Sequence, residues 1–190
     1  MEEIHKVNTK CNLFLIGFMG SGKTTVANYL KEIYGMDMVE MDLVISKRQG
    51  RSISDIFALH GEEYFRGLET GLLEEIQKKS GVVVSCGGGA PMRSANVAAM
   101  EKSGRIVFLQ ASPETIYERV KDSHDRPLLE GNKNVAYISE LLEKRREKYE
   151  AAADIFIETD GKKVSEIGEE IMHSLWALEH KNKNYNDGRI

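Results

Sequence analysis

The chain has 190 residues, 41% of them hydrophobic, which suits one domain with a sizeable core. Its net charge of −4 argues against a broad basic surface for nucleic acid or an anionic membrane, and its two cysteines, Cys11 and Cys86, fit a reducing compartment and no disulfide framework. The polar start MEEIHKVNTK lacks a signal region and no apolar run approaches the ~20 residues that span a bilayer, so a soluble cytoplasmic protein is expected.

The run 11–17, CNLFLIG, is short, apolar on both faces and closed by glycine, which predicts a buried parallel strand. A helix is predicted over 23–34, stopped by Gly35. A second strand over 36–42 ends in Glu40 and Asp42. Ser52 or Ser54 caps a short helix reaching His60, and a longer helix follows over 62–79. VVVSC at 82–86 is a third buried strand, followed by Gly87-Gly88-Gly89. A helix over 94–102 and a strand over 105–110 come next, and Ser112-Pro113-Glu114 opens another helix. The polar stretch 122–134 reads as a mobile loop. Beyond it come a helix over 135–152, a fifth strand over 154–159 and a last helix over 164–179. Residues 1–180 are thus one domain, and the tail 181–190, without periodicity, is expected to be disordered. Strands alternating with helices predict an α/β fold with a parallel sheet, whose ligands bind beyond the carboxyl ends of the strands.

Gly17-x-x-x-x-Gly22-Lys23-Thr24 meets the phosphate-loop pattern in full, after a strand and at a helix start. Glycine lets backbone N–H groups converge on phosphate oxygens, and the helix N-terminus favours negative charge. Lys23 would reach the β- and γ-phosphates, and the Thr24 hydroxyl would ligate Mg²⁺. The expected nucleotide set is Gly20, Ser21, Gly22, Lys23, Thr24 and Thr25. The motif establishes nucleotide binding and no reaction. A switch GTPase also needs Asn-Lys-x-Asp, and the nearest run, Asn132-Lys133-Asn134-Val135, lacks the Asp.

Charge falls where core residues belong. Glu69 lies on the stripe Phe65, Leu68, Leu72, Leu73, Ile76, with Arg66 three residues before it. Arg145 lies on the stripe Ile138, Leu141, Leu142, Tyr149 and points inward or into a cleft. Structural salt bridges and a site gripping an anion with guanidinium forks satisfy this spacing equally well. Glu40 and Asp42, two apart, share one side of a strand; they are either solvated acids or a magnesium ligand through water and a proton acceptor. Three glycines at 87–89 are costly in backbone entropy unless a ligand lies against bare backbone, the other reading being a flexible turn. Arg126 is either a solvated loop charge or a residue that closes over the γ-phosphate, and Arg119 either a surface residue or a neighbour of the base.

In order and spacing, GFMGSGKT, SISDIFALHGEEYFRGLE, CGGGAP, RPLL and Arg145-x-x-x-Tyr149 resemble the shikimate kinase family, small P-loop kinases related in fold to nucleoside monophosphate kinases. The resemblance runs from Asn12 to Leu178. It implies a five-stranded parallel sheet in the order 2-3-1-4-5 between helical layers, in a monomer that uses ATP and Mg²⁺ to phosphorylate shikimate. It implies that Lys23 and Thr24 take the phosphates and Mg²⁺, and that Asp42 accepts the proton of the attacking hydroxyl. Arg66 and Arg145 would clamp the carboxylate, with Glu69 holding Arg66. Gly87, Gly88 and Gly89 would line the ring, Arg126 would be the arginine of a lid over 122–134, and Arg119 would pack on adenine. The family usually carries Asp-x-Asp where this chain has Glu40-Met41-Asp42, which leaves Glu40 as a metal residue acting through water. The rival readings are a gluconate kinase and a regulator that binds nucleotide without catalysis.

Overall fold

A computed structural model describes residues 10–122 and 134–186, with side chains through residue 180. Five parallel strands form one sheet in the order β2-β3-β1-β4-β5, as the resemblance implied. They are β1 (Asn12–Ile16), β2 (Asp37–Glu40), β3 (Val82–Ser85), β4 (Gly104–Gln110) and β5 (Ile155–Glu158). Successive side chains of a strand face opposite sides, and the core divides accordingly. Leu13, Leu15, Val83, Val107 and Leu109 pack with residues of α1 (Lys23–Tyr34) and α7 (Val164–Asn186). Phe14, Ile16, Val82, Val84, Ile106 and Phe108 pack on the other face with α2 (Met41–Gln49), α3 (Ile53–Ile76), α4 (Ser94–Glu101) and α6 (Val135–Ala152). The remaining helix, α5 (Pro113–Val120), adds Ile116 and Val120 to a smaller cluster around Phe18.

Local signals fixed several boundaries. Gly35 takes a left-handed conformation and ends α1, its N–H bonding to the Lys31 carbonyl. Ser52, Ser112 and Asn134 cap α3, α5 and α6, each side chain accepting from the backbone N–H three residues on.

Two expectations need correction. The second strand stops at Glu40, and the chain turns at once into α2, a helix not predicted from the sequence. Asp42 therefore sits in the first turn of that helix, where its charge suits the positive helix end, and not beside Glu40 on a strand. Met41 and Ile45, one turn apart, are buried in the core, and Val44 packs against it. The two helices predicted to end at His60 and to start at Glu62 are borne out: α3 is broken between them at Gly61, whose φ of 79° and ψ of 175° are not helical. The last helix runs to Asn186, into the segment expected to be disordered, because neither glycine nor proline interrupts it there. The predicted loop 122–134 lies, except for Asp122 and Asn134, outside the described residues, and so does Arg126.

Candidate active site

The strand order puts the carboxyl ends of β2, β3 and β1 side by side, so Glu40, the glycine turn and the phosphate loop are neighbours. Gly22 precedes α1 with φ 96° and no side-chain cap, and the first turn of α1 holds no acid. The N–H groups of that turn thus have no side-chain partner at the cap position and are suited to an anion. Gly20 has φ 79°, and a Cβ there would lie 2.9 Å from Val120 Cγ1. The loop therefore rests directly on α5.

Lys23 Nζ donates to the carbonyls of Gly17 and Phe18, each at 2.9 Å, and so spans the loop it must serve. Ser21 is buried, whereas Thr24 and Thr25 are exposed. Thr24 Oγ1 donates to Glu40 Oε2 at 2.6 Å and lies 3.3 Å from Ser85 Oγ. A hydroxyl whose proton goes to a carboxylate keeps its lone pairs for a cation. The described residues contain no cluster of three or more His, Cys, Asp or Glu side chains able to hold a metal ion. This donor set fits Mg²⁺, which keeps waters and binds through nucleotide phosphates and a few protein oxygens. Glu40, one methylene longer than the family's aspartate, reaches the threonine directly.

Opposite this loop, the turn after β3 is packed by charged side chains. Arg66 Nη1 donates to Glu69 Oε2 at 2.8 Å, and Nη2 to Glu62 Oε1 at 2.9 Å. Glu69 is fully buried, and its Oε1 is buried with no hydrogen-bond partner. Burial pushes the Glu69 carboxyl up to about 6, although Arg66 opposes the shift and Asp42 and Glu62 add to it. A Cβ at Gly87 would lie 2.6 Å from Glu69 Oε1 and 2.9 Å from Asp42 Oδ1. A Cβ at Gly89 would lie 2.1 Å from Arg66 Nη2. The turn thus needs glycine partly because this chain's own acids and guanidinium press on it.

Gly88 faces the phosphate loop: a Cβ there would lie 3.5 Å from the Gly17 carbonyl and 3.6 Å from the Met19 amide. Its carbonyl accepts from the Tyr149 hydroxyl. Arg145, half-buried on α6 as its spacing predicted, faces that phenol and lies over Phe18, its guanidinium carbon 5.7 Å from the ring centroid. Asp42, Arg66, Glu69 and the glycine turn are brought into contact, and Arg145 joins them through Tyr149. Arg119 donates to the Gly20 carbonyl at 3.0 Å and to Thr159 at 3.2 Å, which ties the phosphate loop to the end of β5. Sequence reasoning read Tyr149 as a core residue and a spacing marker; an aromatic hydroxyl four residues after an inward arginine was the available signal.

A parallel sheet bearing a phosphate loop, faced by an acid and two arginines grouped at a glycine turn, defines a P-loop kinase of small molecules. The family profile described as shikimate kinase matches residues 19–176. A shikimate kinase of Persephonella marina is 44% identical over 161 residues, covering 85% of this chain and 96% of its own length. One of Dehalococcoides mccartyi is 38% identical over 174 residues, covering 92% and 98%. The chain belongs to the shikimate kinase family. Among solved structures, the shikimate kinase of Acinetobacter baumannii in complex with shikimate superposes with a TM-score of 0.83 at 30% identity, over 88% of this chain and 94% of that one. A gluconokinase of Sinorhizobium meliloti, at 20% identity and a TM-score of 0.60 over 95% of this chain and 99% of its own, shares the fold.

Proposed function

We propose that the protein transfers the γ-phosphoryl group of ATP to the 3-hydroxyl of shikimate, a step of aromatic amino acid biosynthesis, as a cytoplasmic monomer without nucleic-acid or membrane partners. The observation that carries this reading is the glycine turn, pressed by Asp42, Arg66 and Glu69 on one side and abutting the phosphate loop on the other. An acceptor resting on Gly87, Gly88 and Gly89 lies next to the nucleotide phosphates.

In this reading Gly20, Ser21, Gly22, Lys23, Thr24 and Thr25 bind the phosphates. Arg119 borders the adenine. Lys23 leaves the Gly17 and Phe18 carbonyls for the phosphate oxygens. Thr24, backed by Glu40, would hold Mg²⁺, which would supply neutralisation of phosphate charge. Arg66 and Arg145 grip the carboxylate of the acceptor, and Asp42 orients the attacking hydroxyl and takes its proton. Transfer passes through a loose transition state, so positioning and charge neutralisation carry most of the catalysis. Arg126 is assigned the neutralisation of transferring oxygens from the sequence alone.

The test is ADP production with Mg²⁺ and shikimate, gluconate, AMP or no acceptor. Release that depends on shikimate alone is expected. Release with gluconate, or without any acceptor, overturns the assignment.

A further inference from the structure

Tyr149 is 1% exposed, yet its hydroxyl reaches the glycine turn of the site. The O–H donates to the Gly88 carbonyl, while the Arg145 guanidinium faces the same phenol oxygen. Arg145 and Tyr149 are one turn apart on α6 and so share a face. The Tyr149 ring is stacked on Phe108 of β4, with centroids 5.0 Å apart and planes at 18°. That contact fixes the ring against the sheet, and the ring fixes the hydroxyl. On its other side Arg145 leans on Phe18 of the phosphate loop. A guanidinium carries five N–H donors in a rigid fork. The fork thus stands between the phenol, whose hydroxyl reaches the glycine turn, and Phe18 of the phosphate loop.

We propose that Tyr149 is a positioning residue for the acceptor carboxylate, holding the Arg145 fork in register with the Gly87–Gly89 turn. The proposal rests on the carboxylate clamp of the proposed function. The phenol makes no contact with the reacting atoms. It links the arginine that grips one end of the acceptor to the turn on which the acceptor lies, and through Gly88 to the phosphate loop. Burial holds the phenol above its ordinary pKa, so it remains a donor to Gly88 across the working pH range.

Y149F keeps the ring stacked on Phe108 and removes only the hydroxyl. It is expected to raise the KM for shikimate about tenfold, the usual scale for losing a hydrogen bond to a charged group. The fall in kcat should stay below about threefold, and the KM for ATP should hold. Shikimate reduced at its carboxylate to the primary alcohol should be used equally poorly by wild type and Y149F. In an R145A background the Tyr→Phe change should shift KM by less than about threefold, since coupled residues are not additive. The tether is overturned if the tenfold loss persists without Arg145, if acid and alcohol suffer alike, or if the KM for shikimate does not move. A wild type that fails to phosphorylate shikimate overturns the proposed function and the tether together. An active wild type with additive effects overturns the tether alone.

Discussion

Gly89→Ala adds one methyl group and separates binding from folding. Gly89 has φ −102° and ψ −2°, which alanine adopts without strain. The new Cβ would fall 2.1 Å from Arg66 Nη2, 2.5 Å from Cζ and 2.7 Å from Nη1, so the guanidinium must leave its place. Arg66 is a flexible side chain, and the backbone need not move. Its departure breaks the 2.8 Å bond to Glu69. That acid is fully buried and then takes a proton. Because its carboxyl sits at about 6 with Arg66 in place, the protonation itself costs about 1.4 kcal/mol at pH 7. For a chain of this size that is a fall in Tm of roughly 3–6 °C. The clamp loses a hydrogen-bonded charge, about 1.5–3 kcal/mol, which is a rise of roughly 10–150-fold in the KM for shikimate. Coupled ADP assays over a range of shikimate, with thermal melts of the same samples, measure both. A KM within threefold of wild type would remove Arg66 from acceptor binding, whatever the melts show.

Asp42→Asn should lower kcat by about 10²–10⁴-fold with ATP affinity nearly intact; near wild-type turnover would take Asp42 out of proton transfer. Glu40→Gln should raise the Mg²⁺ concentration needed for half-maximal rate by about tenfold, as loss of a residue backing a metal ligand does; an unchanged Mg²⁺ dependence would make the Thr24–Glu40 bond purely structural. Glu69 has a folded value of about 6 against an ordinary 4.5, so between those values the native state binds more protons than the unfolded chain and this group's contribution falls as pH rises. Stability measured by denaturant at pH 4.5 and 7 should therefore shift toward Glu69→Gln, relative to wild type, by about 1.6 kcal/mol on going to the higher pH, and a difference that stays flat would refute the raised carboxyl.

Elements with local punctuation were legible in the sequence. The phosphate loop, α1 with Gly35 behind it, and the serine-capped starts of α3 and α5 each depend on residues within a turn of one another. α2 was not legible, because it follows β2 with no residue between them and the apolar Leu43, 65% exposed and in no core, obscures the face formed by Met41, Val44 and Ile45. The inward charges were legible as anomalies, since Arg66, Glu69 and Arg145 interrupt apolar stripes. Their partners were not, because the contacts of Arg66 with Gly89, of Glu69 with Gly87 and of Tyr149 with Gly88 exist only once β3 lies beside β1 and β2.

The glycine turn has a cause that the residue types alone did not reveal. Three glycines were expected where a ligand approaches bare backbone. At Gly87 and Gly89 the space a Cβ would take already holds Glu69, Asp42 and Arg66. The glycines let three ionised groups crowd against a strand end, and those groups in turn make the turn a place for a polyol acid. At Gly88 the surroundings are looser, 3.5 Å or more to the nearest atoms. Alanine at Gly88 should therefore be tolerated by the protein's own packing, so any activity it costs reports contact with the acceptor. Alanine at Gly87 or Gly89 disturbs the charges first, and its effect on turnover is read through them.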